Sequence, residues 1–214
     1  MLGHKILQII YDNTIRSYLP TKYRLLAGVA VRDAPLLDFT ADNKEYKQGL
    51  MSAIGEGIDH GDRVDLIGFG RGVSTVRAFD AGAEHVTAYE AAEEMISLGR
   101  ETVEVNRPFN SQLTIEQAIV GDPIEVYGDD SNANTQAPEN LSHADVLILD
   151  CEGSELSIID ELGTYPDTII CETHPERGVP TNKVLSVIPS RYSINLLEYI
   201  SGTQSEKKVI IAKT

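Results

Sequence analysis

From about residue 60 onward, short β-branched runs alternate with segments of helical periodicity, and this alternation limits the fold more than any other feature of the chain. It is typical of an α/β domain in which helices cover both faces of a mostly parallel sheet. The predicted strands are 64–68, 85–89, 114–120, 146–150, 168–172, 193–199 and 208–212. The predicted helices are 46–58, 74–81, 92–105, 154–162 and 181–188.

The two ends of the chain depart from this alternation. Only residues 200–206 separate the last two predicted strands, which is too short for the crossover helix that parallel neighbours require, so we expect a terminal antiparallel hairpin. Residues 1–59 are more weakly patterned, and we expect a helical cap that leads into a domain of residues 60–214. The polar stretch 128–144 is predicted to be a loop that is either functional or mobile.

The acidic charge of the chain limits the kinds of molecule that it is expected to bind. Asp and Glu number 33 against 18 Lys and Arg, the formal net charge is −15, and the acids are spread along the chain. This disfavours binding to nucleic acid or to an anionic membrane, since both need a basic surface. An acidic cytoplasmic enzyme and a protein adapted to high salt both fit this composition. No run reaches the roughly 18 apolar residues of a membrane span, so we expect a soluble protein, with a homo-oligomer left open.

A glycine-rich turn follows the first predicted strand of the domain. Gly68, Gly70 and Gly72 alternate with Phe69 and Arg71 between an apolar strand and a predicted helix. Glycine is needed there because the backbone turns sharply and a ligand approaches where any Cβ would collide. The unpaired N–H groups and the positive dipole end of the helix favour a nucleotide or a carboxylate-bearing ligand.

The next predicted strand brings an acid to this turn. Glu90 follows it, 22 positions after Gly68, where a carboxylate on a parallel neighbour strand is placed to accept both ribose hydroxyls. An acid at a strand end also serves to cap the following helix. The pairing of Glu90 with the glycines favours ribose binding.

The spacing of the glycines separates two classes of nucleotide site. The dinucleotide fingerprint Gly-x-Gly-x-x-Gly would place its third glycine at Val73, so NAD is the second choice of cofactor. The spacing here is the Gly-x-Gly-x-Gly associated with S-adenosylmethionine-dependent methyltransferases. In such proteins the position of Gly121 and Asp122, at the end of the third predicted strand, often holds the adenine amino group. The alternative for Asp122 is an ordinary turn before Pro123.

Two further segments carry a family resemblance. Residues 146–156, VLILDCEGSEL, resemble the Asp-x-Glu-Gly-x-Glu segment of FkbM-type methyltransferases, and residues 169–175, IICETHP, look like their Glu-x-His-Pro segment. With the glycine turn and Glu90, four segments over roughly residues 50–175 occur in the family's order. The resemblance implies a Rossmann-like class I methyltransferase fold with a seven-stranded sheet and a reversed last strand. It also implies an S-adenosylmethionine-dependent enzyme that methylates a hydroxyl of a small molecule or glycan.

The glycine turn departs from the family pattern at two positions. The family usually carries an acid two positions before the first glycine, where this chain has Leu66. Asp65, one place earlier, is expected to point to the opposite face of the strand. Phe69 replaces the usual small residue between the first two glycines. These departures leave open a methyltransferase-like binding protein that has lost its activity.

Three polar residues are predicted at the carboxyl ends of the strands, where ligands bind in such sheets. His174 is either a base for the acceptor hydroxyl or a histidine that fixes the loop before Pro175. Asp150 is predicted to bind the cofactor as well as to act in catalysis. For the second role, Asp150 and Glu152 orient the acceptor, coordinate Mg²⁺, or bond the backbone of the next helix. Glu155 is explained by capping of that helix as well as by catalysis. The two cysteines lack the spacing of zinc ligands.

Overall fold

A computed structural model describes residues 10–11, 14–15, 18–33, 42–107, 112–122, 128–141, 144–198 and 207–214. Within these ranges the chain forms ten β-strands and five α-helices. The strands are β1 Lys22–Leu26, β2 Val29–Asp33, β3 Arg63–Ile67, β4 His85–Glu90, β5 Leu113–Val120, β6 Asn134–Gln136, β7 Val146–Leu149, β8 Thr168–Glu172, β9 Ser193–Glu198 and β10 Lys208–Lys213. The helices are α1 Gln48–Gly57, α2 Val73–Ala81, α3 Glu93–Asn106, α4 Glu155–Asp160 and α5 Thr181–Val187. No helix of these ranges is both long and apolar enough to cross a bilayer.

Eight of the strands form one sheet in the order β6-β5-β4-β3-β7-β8-β10-β9. Neighbouring strands are parallel except at β10, which runs antiparallel to both β8 and β9. The predicted parallel sheet and terminal antiparallel hairpin are therefore confirmed. β6 is an eighth strand beyond the seven predicted. It lies within the polar stretch 128–144 and pairs with Ala118–Val120 at the edge of the sheet.

The central strands are buried on both faces because helices cover both sides of the sheet. β7 and β8 are buried along their whole lengths. Leu66 and Ile148 face one side, where they pack with residues of α1, α2 and α3. Ile67 and Leu149 face the other side, with residues of α4 and α5. Side-chain alternation along the strands thus divides the core into two layers.

The segment before the domain contains a β hairpin. β1 and β2 pair in an antiparallel two-stranded sheet, joined by Ala27 and Gly28, which have the positive φ values of 47° and 85° that such short turns need. Asn106 of α3 accepts a hydrogen bond from the N–H of Ala30 and donates one to its carbonyl oxygen, at 3.0 and 2.8 Å. Residues 22–33 therefore correct the prediction of a helical cap, because the turn and this long-range contact outweigh weak local patterning.

Phe69 of the glycine turn belongs to the core. Its side chain is 2% exposed, and its ring lies against Gly99 of α3. A Cβ on Gly99 would stand 2.2 Å from ring atom Cε1, far inside contact distance. The absence of a side chain at Gly99 therefore makes room for a phenylalanine in a turn where a small residue is usual.

We expect Gly99→Ala to destabilise the protein by about 1–3 kcal/mol, because the added methyl group overpacks the Phe69 ring. The matched control is Gly55→Ala in α1, where a Cβ meets nothing within 4 Å. Alanine there should raise the free energy of unfolding by about 0.5–1 kcal/mol through helix propensity. Urea unfolding followed by circular dichroism measures both values. Equal effects of the two substitutions would contradict close packing between Phe69 and Gly99.

Candidate functional site

A cavity of about 300 Å³ lies at the carboxyl ends of β3, β4, β5 and β7. Ligands of parallel α/β sheets bind at this edge. The glycine turn after β3 and Glu90 at the end of β4 form part of its lining, together with Asp150 and Glu152 after β7. Tyr46 and Lys47, which precede α1, complete the lining from the N-terminal part of the chain. Segments distant in sequence thus meet around one cavity.

Gly68 shapes the turn because no side chain fits at its position. Its φ is +93°, and a Cβ there would lie 2.1 Å from the carbonyl oxygen of Asp150. The N–H groups of Gly68 and Phe69 both donate to the carbonyl oxygen of Tyr89, at 3.0 and 3.1 Å. The chain can therefore pass between β4 and β7 only with glycine at this position.

The other two glycines of the turn serve different ends. Gly70 has a φ of +48° and open space at its Cβ position. Gly72 has a φ of +77°, and a Cβ there would lie 2.7 Å from the carbonyl oxygen of Gly99, so this glycine permits the close contact of α2 with α3. Val73, which stands where a dinucleotide site has glycine, is buried at the start of α2.

The Glu90 carboxylate holds the glycine turn against β4. Its Oε2 accepts a hydrogen bond from the N–H of Gly70 at 2.8 Å, and its Oε1 accepts those of Ala91 and Ala92 at 3.0 and 3.1 Å. A carboxylate has about four lone-pair sites, so these bonds leave one on Oε2. Because Glu90 also lines the cavity, this oxygen can accept one hydroxyl of a ligand.

A buried ion network adjoins the cavity and consists of Lys47, Asp150, Glu172, His174 and Glu155. The Lys47 ammonium donates to both carboxylate oxygens of Asp150 at 2.6 Å and to Oε2 of Glu172 at 3.0 Å. Nδ1 of His174 lies 2.6 Å from Oε1 of Glu155, and its Nε2 lies 3.4 Å from Oε2 of Glu172. Glu155, Glu172 and His174 are fully buried, so their charges have to be compensated within the network.

Burial and ion pairing act in opposite directions on the pKa values of the network. Burial raises the pKa of Asp150 above its usual value, and the Lys47 ammonium opposes this shift and favours the ionised carboxylate. Burial also favours a high pKa for Glu172, but the hydrogen bond to His174 and the charge of Lys47 hold that pKa below its usual range. Burial lowers the pKa of His174, yet Glu155 and Glu172 outweigh it and raise the pKa to about 9. At neutral pH the imidazole is therefore charged.

The structure brings together most of the predicted site residues. Those that line the cavity are Gly68, Phe69, Gly70, Glu90, Asp150 and Glu152. Those that do not line it are Gly72, Gly121, Asp122 and His174. The glycine turn and the first two acids after β7 therefore share one cavity with the end of β4.

Asp122 lies outside the cavity lining and is exposed, so the structure does not place it for the predicted adenine contact. Gly121 is turned toward α4, where a Cβ would lie 3.1 Å from the Ile158 side chain. The end of β5 lines the cavity with Ala118–Val120 instead. This part of the wall is apolar.

His174 fixes the loop after β8. Its backbone N–H and carbonyl oxygen both pair with Val179 at 3.1 Å, and its ring lies between Glu155 and Glu172. A fully buried imidazole that is already protonated at neutral pH is unsuited to remove a proton from an acceptor. Glu155 belongs to the same buried cluster, since its carboxylate also accepts the N–H of Gly153 at 3.2 Å. The loop-fixing alternative for His174 therefore fits the geometry better.

Lys47 and Glu172 belong to the site but are absent from the residues that the sequence singles out. Lys47 is 103 residues from Asp150 and 125 from Glu172, and it is part of no motif. Its backbone is left-handed, with φ 44° and ψ 44°, which is uncommon for lysine. Glu172 stands in the Glu-x-His-Pro segment. Glu172 ends a buried strand and stands two positions before His174, and this position in the sequence could have identified it as a site residue.

The expected alternation of side chains in β3 is confirmed. Leu66 is fully buried in the core layer of α1, α2 and α3. Asp65 is 2% exposed and lines a separate cavity together with Asp145 and Asp167. Neither residue lines the main cavity. β3 therefore offers it no carboxylate.

Solved structures similar to this chain include three methyltransferases. Ribosomal protein L11 methylase from Lactobacillus delbrueckii subsp. bulgaricus has a TM-score of 0.56 at 14% identity, over 82% of this chain and 81% of its own. Magnesium protoporphyrin IX methyltransferase from Synechocystis PCC 6803, with bound S-adenosylmethionine, has a TM-score of 0.56 at 14% identity, over 99% and 97%. The Pyrococcus abyssi tRNA (uracil-54, C5)-methyltransferase in complex with S-adenosyl-L-homocysteine has a TM-score of 0.58 at 17% identity, over 90% of this chain and 44% of its own.

These structures confirm the fold predicted from the sequence, a Rossmann-like class I methyltransferase fold. The order β5-β4-β3-β7-β8-β10-β9 supplies the expected seven strands, including the reversed one. No family model and no curated protein matches the chain. At identities below 20% the likeness establishes the fold, and function has to be argued from the site.

The charged His174 should make stability depend on pH in the alkaline range. Because folding raises its pKa from 6.5 to about 9, its stabilising effect is complete below pH 6.5 and is lost as the pH rises through 9. We expect the free energy of unfolding to fall by roughly 2–3 kcal/mol over this interval. Urea unfolding at a series of pH values measures this fall.

His174→Gln should flatten the pH dependence, because it removes the titrating ring from the network. His85→Gln is the matched control, since His85 lies on β4 and bonds Thr114 outside the network. It should preserve the wild-type profile. A wild-type free energy of unfolding that does not fall in this interval, or a His174 ring whose NMR signal titrates near pH 6.5, would contradict the assignment.

Proposed function

We propose that the cavity binds S-adenosylmethionine and that the protein transfers its methyl group to a hydroxyl of a small molecule or glycan. The observation that carries this proposal is the glycine turn. Gly68 approaches the Asp150 backbone so closely that no Cβ fits, and Glu90 bonds Gly70 from the neighbouring strand. Two similar structures with this fold hold S-adenosylmethionine or S-adenosyl-L-homocysteine.

The residues of the cavity suit the nucleoside part of this cofactor. The remaining lone pair of Glu90 would accept a ribose hydroxyl. Ala91, Met95 and Ala118–Val120 supply apolar surface for the adenine ring. The open space at Gly70 would let the ligand approach the backbone of the turn. A carboxylate that accepts a hydrogen bond from a ribose hydroxyl, beside an apolar wall for the base, is the combination that a nucleoside needs.

Glu152 is the residue that we assign to the acceptor. It lines the cavity, its side chain is 38% exposed, and its backbone has a strained, left-handed φ of 55°. When bound, S-adenosylmethionine supplies an electrophilic methyl group to a nucleophile aligned with the breaking C–S bond. The Glu152 carboxylate would orient the acceptor hydroxyl by accepting its hydrogen bond. As the methyl group leaves the sulfur, the hydroxyl proton would pass to this carboxylate and from it to bulk water, since the Glu152 side chain is 38% exposed. The charged His174 ring would keep Glu172 ionised, and Glu172 would in turn hold the Lys47 ammonium in place.

The charge of the chain supports a small acceptor over RNA. Similar structures include a tRNA methyltransferase, of which this chain covers 44%, and an rRNA methylase from Streptococcus thermophilus, so these neighbours leave an RNA substrate possible. The formal net charge of −15 opposes binding of a polyanion. The FkbM-type resemblance favours small hydroxylated acceptors and glycans. Membership of that family stays a prediction, since no family model matches.

The proposal needs no Mg²⁺. Asp150, Glu172 and His174 each offer a ligand atom, and these atoms lie within 4.8 Å of one another. The Lys47 ammonium already contacts both carboxylates. A divalent cation would have to displace this ammonium and lie beside a charged imidazole. Metal coordination by Asp150 and Glu152 is therefore not part of the proposed function.

Thermal unfolding tests the cofactor. At about 100-fold above Kd, S-adenosylmethionine or S-adenosylhomocysteine should stabilise by roughly 2.7 kcal/mol and raise Tm by about 5–10 °C. NAD should produce no shift, because Val73 stands where a dinucleotide turn has glycine. The titration is made at low and high salt, since the acidic composition also fits a protein adapted to salt. No shift with either S-adenosyl compound would refute the proposal, and a shift with NAD alone would favour an oxidoreductase.

Methyl transfer is measured on the same protein. Incubation with S-adenosylmethionine and a panel of sugars and other hydroxylated small molecules should release S-adenosylhomocysteine, which mass spectrometry detects. Omission of the acceptor is the control for spontaneous breakdown. Tight cofactor binding with no release above this control would favour a methyltransferase-like binding protein that has lost its activity.

Glu90→Ala should weaken S-adenosylmethionine binding at least about tenfold, because it removes a charged acceptor for the ribose and releases the N–H of Gly70. Isothermal titration calorimetry measures the affinity. Glu116→Ala is the matched control, since Glu116 is an exposed glutamate on β5 outside the cavity lining. Unchanged affinity in Glu90→Ala would mean that the ribose lies elsewhere.

A further inference from the structure

The α-amino-acid end of the cofactor carries an ammonium and a carboxylate, and the proposed function so far assigns neither a partner. Leu66 stands two positions before the first glycine, where an acid is expected, and it is fully buried. Asp65 lines the separate cavity with Asp145 and Asp167. β3 therefore supplies no charged side chain to the main cavity, and charged partners for this end of the cofactor have to come from other elements.

Three carboxylates line the main cavity within the described part of the chain, those of Glu90, Asp150 and Glu152. Glu90 already accepts three backbone N–H groups. The Glu152 carboxylate is 38% exposed and lies 3.7 Å from the Arg177 guanidinium. Asp150 lies directly against the glycine turn, because its backbone carbonyl occupies the Cβ position of Gly68. Asp150 is therefore the best-placed carboxylate for a ligand ammonium beside the turn.

Lys47 brings a positive charge to the same place. Its side chain is 27% exposed, whereas those of Asp150 and Glu172 are 9% and 2% exposed, so the lysine is the most accessible part of this group. Its backbone is held at φ 44° and ψ 44°, a left-handed conformation that is strained in a residue with a side chain. Strain of this kind persists where the surrounding structure imposes it, often at ligand sites. The fold therefore imposes the backbone position of Lys47, and the hydrogen bonds to Asp150 and Glu172 hold its ammonium.

We propose that Lys47 and Asp150 form the subsite for the α-amino-acid end of the cofactor, with Asp150 accepting hydrogen bonds from its ammonium and Lys47 donating them to its carboxylate. This inference rests on the proposed binding of S-adenosylmethionine. A zwitterion suits the site because the Lys47–Asp150 ion pair is exchanged for two ion pairs with the ligand, one from each residue. The net charge of the site is then unchanged. A ligand without the amino-acid group would leave the Lys47–Asp150 pair intact.

Two ligands that differ only in this group test the subsite by isothermal titration calorimetry. S-adenosylhomocysteine carries the amino acid, and 5′-methylthioadenosine keeps the nucleoside and the thioether without it. Wild-type protein should bind S-adenosylhomocysteine at least about tenfold more tightly, as expected for charged hydrogen bonds. Lys47→Met and Asp150→Asn should lower the affinity for S-adenosylhomocysteine at least about tenfold. Their affinity for 5′-methylthioadenosine should stay within about twofold of the wild-type value.

Three variants serve as controls. Lys213→Met removes a surface ammonium paired with Asp59 and should keep the preference for S-adenosylhomocysteine. Glu90→Ala should weaken both ligands equally, because it acts on the nucleoside that they share. Lys47→Arg keeps the charge and should retain the preference, which separates the ionic role of Lys47 from its packing.

Lys47→Met leaves two buried carboxylates without their cation, so loss of folding is checked by circular dichroism. If Lys47→Met unfolds, the test uses the ratio of the two ligand affinities in the wild-type protein and in Lys47→Arg. Equal wild-type affinities for the two ligands would overturn the subsite. Equal losses of affinity for both ligands in Lys47→Met would also overturn the subsite. Arg71 is a second cation that lines the cavity, and loss of the preference in Arg71→Met alone would overturn the assignment to Lys47 as well. Failure of both ligands to bind the wild-type protein would instead overturn the proposed function.

Discussion

The buried ion network is the interaction on which the rest of the site depends. Lys47 joins the segment before α1 to the ends of β7 and β8, and His174 joins the end of β8 to α4 through Glu155. Removing one member of a buried ion pair leaves the other uncompensated and costs about 3–5 kcal/mol. One wall of the cavity is therefore held to the sheet by charge as well as by apolar contact.

The glycine turn depends on close packing, and this changes the meaning of its unusual residue. Gly68 is required because the Asp150 carbonyl occupies the space of a side chain. Phe69 is accommodated because Gly99 of α3 has no side chain to oppose its ring. A departure from the family pattern inside the turn is thus compensated on a different helix. Phe69 is consequently weak evidence against the proposed cofactor site, whereas Leu66 does alter which residues would contact the proposed cofactor.

Local patterns made the sheet and half of the site predictable. β7 and β8 are continuous apolar runs because both faces are covered, and the spacing of Gly68 and Glu90 places them on adjacent strands. The hairpin of residues 22–33 and the position of Lys47 were not predictable in this way. They depend on Asn106 and on Asp150, contacts that exist only after distant parts of the chain have come together.

The position of His174 shows why a family segment can identify a site without identifying the role of each residue. A base has to touch the acceptor, and His174 is buried behind Glu172 with its ring already charged at neutral pH. That charge favours the ionised form of Glu172, which in turn binds the Lys47 ammonium. Under the proposed function, His174 would therefore act on the cavity through Lys47. Because methyl transfer depends mainly on alignment of the reacting groups, a chain of charges that positions one ammonium would suit the proposed reaction better than a buried base would.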